Sequence, residues 1–324
     1  MAEKTLSLQI NASPHIKSPA SIQKIMWAVV AALIPAGIAG VYIFGIHSLY
    51  VIATSVISAF LTELIVQKLA KKPLTYTDGS AVLTGLLLAY NLPPSAPLWM
   101  AGVAAVFAIA IVKQTFGGLG RNIFNPALAG RAFCMASWPI FMTRWTNPRW
   151  FPDTISSATP LAVKKSLEIT AGTAYHATYL DLFLGNRPGC IGEVCVAALL
   201  VGALFLLIKG YIKLHIPLSY IGTTAILSWL LMGKPFQADM LFYVLSGGLI
   251  LGAFFMATDY VTSPVTSKGK IAFGIGCGIL TVAIRKWGGY PEGVSYSILI
   301  MNSATPIIDR FTKPARFGAE VKKS

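Results

Sequence analysis

The segment Asp153-Thr154-Ile155-Ser156-Ser157-Ala158-Thr159-Pro160 sets a carboxylate, two serines and two threonines in a polar loop between two blocks of apolar residues. The Thr159 hydroxyl is a weak nucleophile, so an ester on it needs a dedicated transferase. Asp153, upstream, could orient the loop or a metal of that transferase. The same string also reads as local structure, an N-cap residue ahead of a proline at the first helical position. A near-copy acts as a control. Ser303-Ala304-Thr305-Pro306 repeats the core, but the residue six before Thr305 is Leu299, and the segment closes an apolar run.

A second set of residues could handle ions. Glu63, Asp78, Arg131 and Asp259 fall in or beside apolar segments, where an ionisable group is costly and therefore a functional candidate. Thr258, Thr262 and Ser263 add neutral oxygens of the type a sodium site needs. Asp259 is the first choice among them. Each has a structural alternative: Asp78 is a good helix cap, Glu63 can reach Lys68, and Arg131 can close a structural pair. Cys134, Cys190, Cys195 and Cys277 form no C-x-x-C pair that would hold zinc or an iron-sulfur cluster, and read as packing residues. No catalytic residue and no metal site is expected.

The elements that must position these groups are membrane helices. The 324 residues are 55% hydrophobic and only 12% charged, with a mean hydropathy of +0.66, against about 25% charged in soluble chains. This is an all-α integral membrane protein with a single membrane domain over residues 1–324. The net charge of +14 fits loop lysines and arginines rather than a nucleic-acid surface. No G-x-G-x-x-G follows a strand, so NAD is not bound here. Residues 1–24 are polar without an apolar core before a cleavage site, so the first transmembrane helix is expected to direct insertion.

Windows of about 20 apolar residues place long helices near 25–46, 48–70, 97–114, 190–208, 216–233, 239–257 and 270–286. Shorter, Gly/Pro-bounded ones lie near 79–92, 123–140 and 293–306. Short helices in a membrane usually line a site. Gly85-Leu86-Leu87-Leu88-Ala89 corresponds to Gly252-Ala253-Phe254-Phe255-Met256, and Ile111 to Gly118 corresponds to Ala283 to Gly289. The result is about ten transmembrane helices in two five-helix repeats, 25–140 and 189–306, separated by a polar loop at 141–188 and followed by a tail at 307–324. An odd number per repeat inverts the second copy. With the amino terminus in the cytoplasm, 17 of the 26 Lys and Arg fall inside and 8 outside, with Arg131 within a segment. Both termini are then cytoplasmic and the loop bearing Thr159 is extracytoplasmic.

Several blocks carry a resemblance. Asp78-Gly79-Ser80-Ala81-Val82-Leu83-Thr84-Gly85, the stretch from Phe116 to Phe133 and Ala257-Thr258-Asp259-Tyr260-Val261-Thr262-Ser263-Pro264, together with the Thr159 string, resemble the RnfD/NqrB family over most of the chain. The short amino-terminal segment is more similar to RnfD. The family pattern commonly has glycine where Ser157 stands, and serine is small enough for the same turn. The resemblance implies a flavin-carrying membrane subunit of an ion-translocating ferredoxin:NAD oxidoreductase complex, inactive alone, in the cytoplasmic membrane of a prokaryote. It implies FMN joined through its phosphate to Thr159, in the setting of Asp153, Ser156, Ser157 and Ala158, with Lys164 and Lys165 placed to neutralise the phosphate. Trp138, Trp145, Trp150 and Phe151 could stack on the flavin ring or form an interfacial belt. Ion coupling falls to Asp259, Thr258, Thr262, Glu63 and Asp78, and Na+ and H+ both remain open. By analogy with NqrB there is room for a second, non-covalent flavin such as riboflavin at the repeat interface. Partners are the other membrane and peripheral flavin or iron-sulfur subunits, a flavin transferase, and lipid. A different class stays open as well: Asn125-Pro126-Ala127 is similar to the half-helix start of aquaporin-like channels, which fits a small-solute channel or transporter without redox role.

Overall fold

A computed structural model describes residues 21–150, 158–167, 177–233, 236 and 238–313. The expectations for Phe151, Asp153, Ser156 and Ser157 lie outside these residues. Among the described residues there are helices and no strands.

Helix α1 (Ile22–Phe44) begins where the Ser21 hydroxyl accepts the Lys24 N–H at 3.2 Å. Its apolar run ends at Gly45, whose φ of +94° turns the chain straight into α2 (Ile46–Leu69). That left-handed backbone suits a residue without a Cβ. A 3-10 turn leads to α3 (Ser80–Tyr90), whose start is fixed by Asp78 Oδ1 accepting the Ser80 N–H and hydroxyl at 2.8 and 2.7 Å. Next come α4 (Leu98–Val106), continued by a π-helix over Phe107–Gln114, then α5 (Pro126–Ser137) and α6 (Pro139–Met142). Two short helices, α7 (Pro160–Leu167) and α8 (Tyr179–Leu184), precede α9 (Val196–Ile208) and α10 (His215–Leu231). The chain finishes with α11 (Met240–Leu245), α12 (Leu249–Leu251) with its π-helical continuation Gly252–Met256, α13 (Ser267–Trp287) and α14 (Val294–Thr312).

Among the described residues, α1, α2 and α13 are long and apolar enough to cross a membrane. Their outward faces carry large exposed apolar side chains such as Ile38, Tyr42 and Ile57, the surface expected against lipid. Packing uses small residues, as membrane interfaces do. A Cβ on Gly202 of α9 would lie 2.0 Å from Ala32 O, so that glycine lets α9 settle on α1. Helix α2 packs on α3 and α4, and α10 packs along α13.

The broken helices end inside the bundle, and their ends are completed from the other half of the chain. Ile191 and Gly192 donate their N–H groups to Leu92 O and Tyr90 O, both at 3.1 Å, at the end of α3 and just past it. In return Asn125 Nδ2 donates to Met256 O at 3.4 Å. The Asn302 amide bridges Asn125 N–H and Thr262 O at 3.1 and 3.2 Å in the orientation that satisfies both of its atoms. These contacts answer the requirement that backbone polar groups within a membrane find partners in the protein.

Three elements differ from expectation. The helix expected over 239–257 breaks at Ser246-Gly247-Gly248, where Gly247 has φ +66° and Arg285 donates to Ser246 O and Tyr243 O. The one expected over 190–208 starts only at Val196, because the preceding turn is spent on the α3 carbonyls. The helix expected to stop at Thr305-Pro306 runs through Pro306 to Thr312. Its last turns are held by the loop before α13, with Asp309 Oδ1 accepting the Val265 N–H at 3.1 Å and Thr266 bonding Thr312 at 2.7 Å.

The two faces of the bundle are well separated. The start of α1 (Ile25, Met26) shares a cleft with residues 258–261, and the end of α14 meets Val265 and Thr266, all at the Ser267 end of α13. Helix α7 touches Gly288, past the opposite end, about 30 Å away by helical rise.

Candidate functional site: two clefts between the halves of the chain

The first cleft lies between α1, α3, the start of α5, the end of α9 and the loop after Met256. Its walls are apolar, with Met26, Val29, Leu83, Leu87, Phe254 and Phe255, and its polar groups are Ser80, Thr84, Lys113, Asn122, Asn125, Thr258 and Asp259. Asn125 caps α5, its Oδ1 accepting from Ala127 and Leu128, with Pro126 at the first helical position. Asp259 is half-buried, and Oδ2 accepts the Thr262 hydroxyl at 3.1 Å. The Thr258 hydroxyl is turned back on its own helix, donating to Phe254 O at 2.7 Å.

One wall of this cleft hides an ion pair. Lys113, 2% exposed, reaches Glu63 Oε1 at 2.7 Å, and Glu63 is 1% exposed. Lys113 also donates to Ser80 Oγ at 2.6 Å, and Ser80 Oγ in turn donates to Asp78. Gln114 and Gln67 add amide donors to Glu63 Oε1 at 2.8 and 3.3 Å, while Oε2 is buried without a partner. Glu63 therefore pairs with Lys113 instead of Lys68. The π-helix explains how: its extra residue per turn aims both Lys113 and Gln114 inward. Four of the ion-coupling candidates, Glu63, Asp78, Thr258 and Asp259, thus line or support one cleft, with Thr262 bonded to Asp259.

The second cleft opens near the other end of the bundle, lined by Arg131, Met135, Thr143, Trp145, Tyr290, Glu292, Ser295 and Tyr296 among others. The Tyr290 and Tyr296 rings are stacked, 5.9 Å between centroids and 21° between planes. Arg131 lines it from α5. Its guanidinium pairs with Glu292 and donates to Ser295 Oγ at 2.7 Å, Asn91 Oδ1 at 3.3 Å and Cys190 Sγ at 3.9 Å. Cys190, Glu193 and Glu292 bring three ligand-type atoms within 4.8 Å of one another. Arg131 donates to two of these residues, the buried Arg187 donates to the backbone of Glu193, and the buried Arg285 lies beside Gly247 near Glu292. With three guanidiniums against two carboxylates there is no excess negative charge to hold a cation.

Thr159 belongs to neither cleft wall. It caps α7: its Oγ1 accepts the Ala162 N–H at 3.3 Å, its carbonyl accepts from Val163 at 3.0 Å, and Pro160 follows. The residue is 3% exposed and Ala158 is half-buried. Lys165 donates to Gly288 O at 2.5 Å, and Lys164 lies over the rings of Phe242 and Tyr243 at 4.1 and 4.6 Å. Both lysines dock α7 onto the second half. Thr305, by contrast, sits inside α14 and donates its hydroxyl to Thr262 O at 3.0 Å. Trp138 is packed edge-on against Trp99 and Phe133, and Trp150 lies against Tyr42, so both rings have neighbours of their own.

Residues 9–318 match the profile of the NQR2, RnfD, RnfE family. The chain belongs to this family. It is 52% identical to the D subunit of the Na(+)-translocating ferredoxin:NAD(+) oxidoreductase complex of Acetobacterium woodii, covering 98% of both chains. It is 50% identical to the D subunit of the proton-translocating ferredoxin:NAD(+) oxidoreductase complex of Clostridium ljungdahlii, covering 95% of this chain and 96% of the other. The D subunit of the ion-translocating oxidoreductase complex of Pectobacterium atrosepticum is 35% identical, over 97% of this chain and 99% of its own. In this member of the NQR2, RnfD, RnfE family, the sequence pattern alone does not single out Lys113, Arg187, Glu193, Arg285 and Glu292. Lys113 and Arg285 fall there at the ends of expected helices and Arg187 in the polar loop, all counted as charges of one membrane side, yet all three are buried. The available signal is the acid itself, since a lone Glu63 within an apolar helix demands a basic partner from a neighbouring one.

Proposed function

We propose that this chain is the D subunit of a membrane complex that couples electron flow between ferredoxin and NAD to the movement of Na+ or H+, and that it relays electrons through FMN esterified to Thr159. Full-length similarity to subunits bearing that description supports the reading, and the observation that carries it to the residue is the setting of Thr159 at the amino terminus of α7. The Leu161 N–H and the positive end of the helix dipole favour an anion at this terminus, where Pro160 carries no N–H and the Ala162 and Val163 N–H groups are bonded to Thr159 itself, so a phosphate ester on Oγ1 fits the residues present. FMN, when bound, would supply one- and two-electron chemistry. The chain's own part is to hold the phosphate at the α7 cap and to keep the cofactor beside the bundle. Because Thr159 is almost fully covered, the transferase must reach it before α7 packs or while it is lifted away.

The topology follows the positive-inside rule. With the buried Lys113, Arg187 and Arg285 set aside, 16 basic residues fall on the cytoplasmic side against 6 outside. Both termini then face the cytoplasm and α7 lies outside, consistent with their positions at opposite ends of α13. The pairing of α2 with α4 and of α10 with α13, and the reciprocal completion of the broken helices, fit two inverted five-helix repeats at 25–140 and 189–306. The first cleft, apolar with a polar rim, fits a second, non-covalent flavin, and Asp259 with Thr262 is the leading ion-coupling pair.

In-gel fluorescence tests the covalent reading. Denatured subunit from cells containing the transferase should fluoresce, Thr159→Ala should abolish the signal, and Thr305→Ala should leave it unchanged. Mass spectrometry of the tryptic peptide 150–164 should carry the FMN mass. An unmodified peptide, or flavin that persists in Thr159→Ala, rejects the proposal and returns weight to a solute channel.

A further inference from the structure

We infer that the groove between α1 and α2, beside the turn that joins them, is a binding site for one anionic phospholipid, with an acyl chain along the helices and the phosphate on Arg149.

The mouth of the site follows from how the turn is built. The Ile43 carbonyl, in the last turn of α1, accepts the Arg149 N–H at 3.0 Å. This bond lays the 143–150 loop across the turn. The Arg149 side chain then passes over Gly45, its Cδ and Nε 3.7 and 3.8 Å from the point where a Cβ would sit. Arg149 is exposed, and among the described residues no carboxylate pairs with it. Helix α2 starts at the same turn without a side-chain cap, so its positive end adds to the guanidinium in favouring an anion. Beside them the Tyr42 and Trp150 rings, 5.9 Å between centroids, are both exposed. Such amphipathic rings sit at the headgroup level of a membrane, with hydrocarbon beneath.

Below that level the surface is hollow. Ile34, Ile38 and Val41 of α1 and Leu49 and Ile52 of α2 form the walls. Gly37 deepens the groove: a Cβ there would lie 2.2 Å from the Tyr90 hydroxyl, so its absence lets the Tyr90 ring form the floor while donating to Leu33 O at 2.8 Å. The volume is about 590 Å³, within the range of sites that hold one small ligand. The lining is apolar apart from Arg149 and the two tyrosine hydroxyls.

Length selects the occupant. From Ile34 to Gly45 the helical rise is about 16 Å, half of the roughly 30 Å hydrocarbon core. A partner's transmembrane helix needs a groove twice as long, whereas an acyl chain fills one leaflet. Charge selects the headgroup, because an arginine fork pairs with a phosphate that carries no cation of its own better than with a zwitterionic one. Under the topology proposed above, this is the outer leaflet.

The test titrates the purified, detergent-solubilised complex with phosphatidylglycerol or phosphatidylcholine. Native mass spectrometry reads the lipid retained on this subunit when it is released in the gas phase. The unaltered subunit should take up one phosphatidylglycerol at a lower concentration than phosphatidylcholine. Arg149→Gln should weaken phosphatidylglycerol retention about fivefold, the factor expected for one cation at a membrane surface, and erase the preference, while Arg149→Lys should keep most of it. Ile38→Trp, which fills the groove, should lower retention of both lipids. Equal retention of the two lipids by the unaltered subunit, or phosphatidylglycerol retention unmoved in Arg149→Gln, overturns the site. So does loss of a neighbouring subunit from the Ile38→Trp complex, which would make the groove the seat of a partner's helix.

Discussion

Two buried ion pairs among the described residues of this bundle are built differently. Glu63 and Lys113 lie 50 residues apart in the first half, on α2 and the π-helical end of α4, and the lysine spends its described bonds on Glu63 and Ser80. Arg131 and Glu292 lie 161 residues apart and join α5 to the entry of α14, and the guanidinium also serves Ser295, Asn91 and Cys190. A lysine is a compact point charge, whereas an arginine is a planar fork that can hold several partners at once. The first pair is therefore a self-contained neutral unit within one half. The second is a junction whose loss frees groups on both halves.

This contrast can be broken experimentally. The largest effect is expected from Arg131→Ala, which leaves Glu292 buried without its cation and should cost about 3–5 kcal/mol or more, read as a fall in the melting temperature of the detergent-solubilised subunit. Restoring charge balance with Arg131→Met and Glu292→Leu together should recover little, because Asn91 and Ser295 stay unserved. Full recovery would make the junction no different from a simple pair. Next, Glu63→Leu or Lys113→Met alone should each destabilise by about 3 kcal/mol, whereas the double variant should return to within about 1 kcal/mol of the parent. Equal damage in the double variant would show that the pair is not separable from its neighbours. The smallest effect is expected at Asp78. Asp78→Ala removes a cap worth about 1 kcal/mol and Asp78→Asn restores most of it; a loss of ion movement in Asp78→Asn at unchanged stability would return this residue to the ion path.

The sequence discloses the membrane class and the short, broken helices, because Gly and Pro at Gly79, Pro93, Pro94 and Pro126 interrupt apolar runs in plain view. It also singles out Glu63, Asp78, Thr258 and Asp259, which the fold gathers at one cleft. It does not disclose Lys113. A charged residue at the end of an apolar run looks like a loop anchor, and only the π turn brings it inside. Glu292, after Pro291 in a Gly-rich stretch, looks like a loop residue for the same reason, and its partner Arg131 is far away in sequence. The dual nature of Thr159 is legible, since a serine or threonine before proline is a cap by local chemistry whatever else is attached to it. The docking of Lys164 and Lys165 on the second half is not, because only tertiary packing selects Gly288 and the Phe242 and Tyr243 rings as their neighbours.

The exchange of backbone partners between the halves bears on how the protein is made. Tyr90 and Leu92 offer carbonyls that wait for the N–H groups of Gly192 and Ile191, about a hundred residues later in synthesis, and the Asn125 amide likewise waits for the Met256 carbonyl. Until the later segment leaves the ribosome and enters the bilayer, the first half holds unsaturated polar ends in a medium without water to satisfy them. Insertion of this chain is then a two-stroke process, in which an early, open assembly is kept in register for its second stroke. Neither half, released alone, could close on itself.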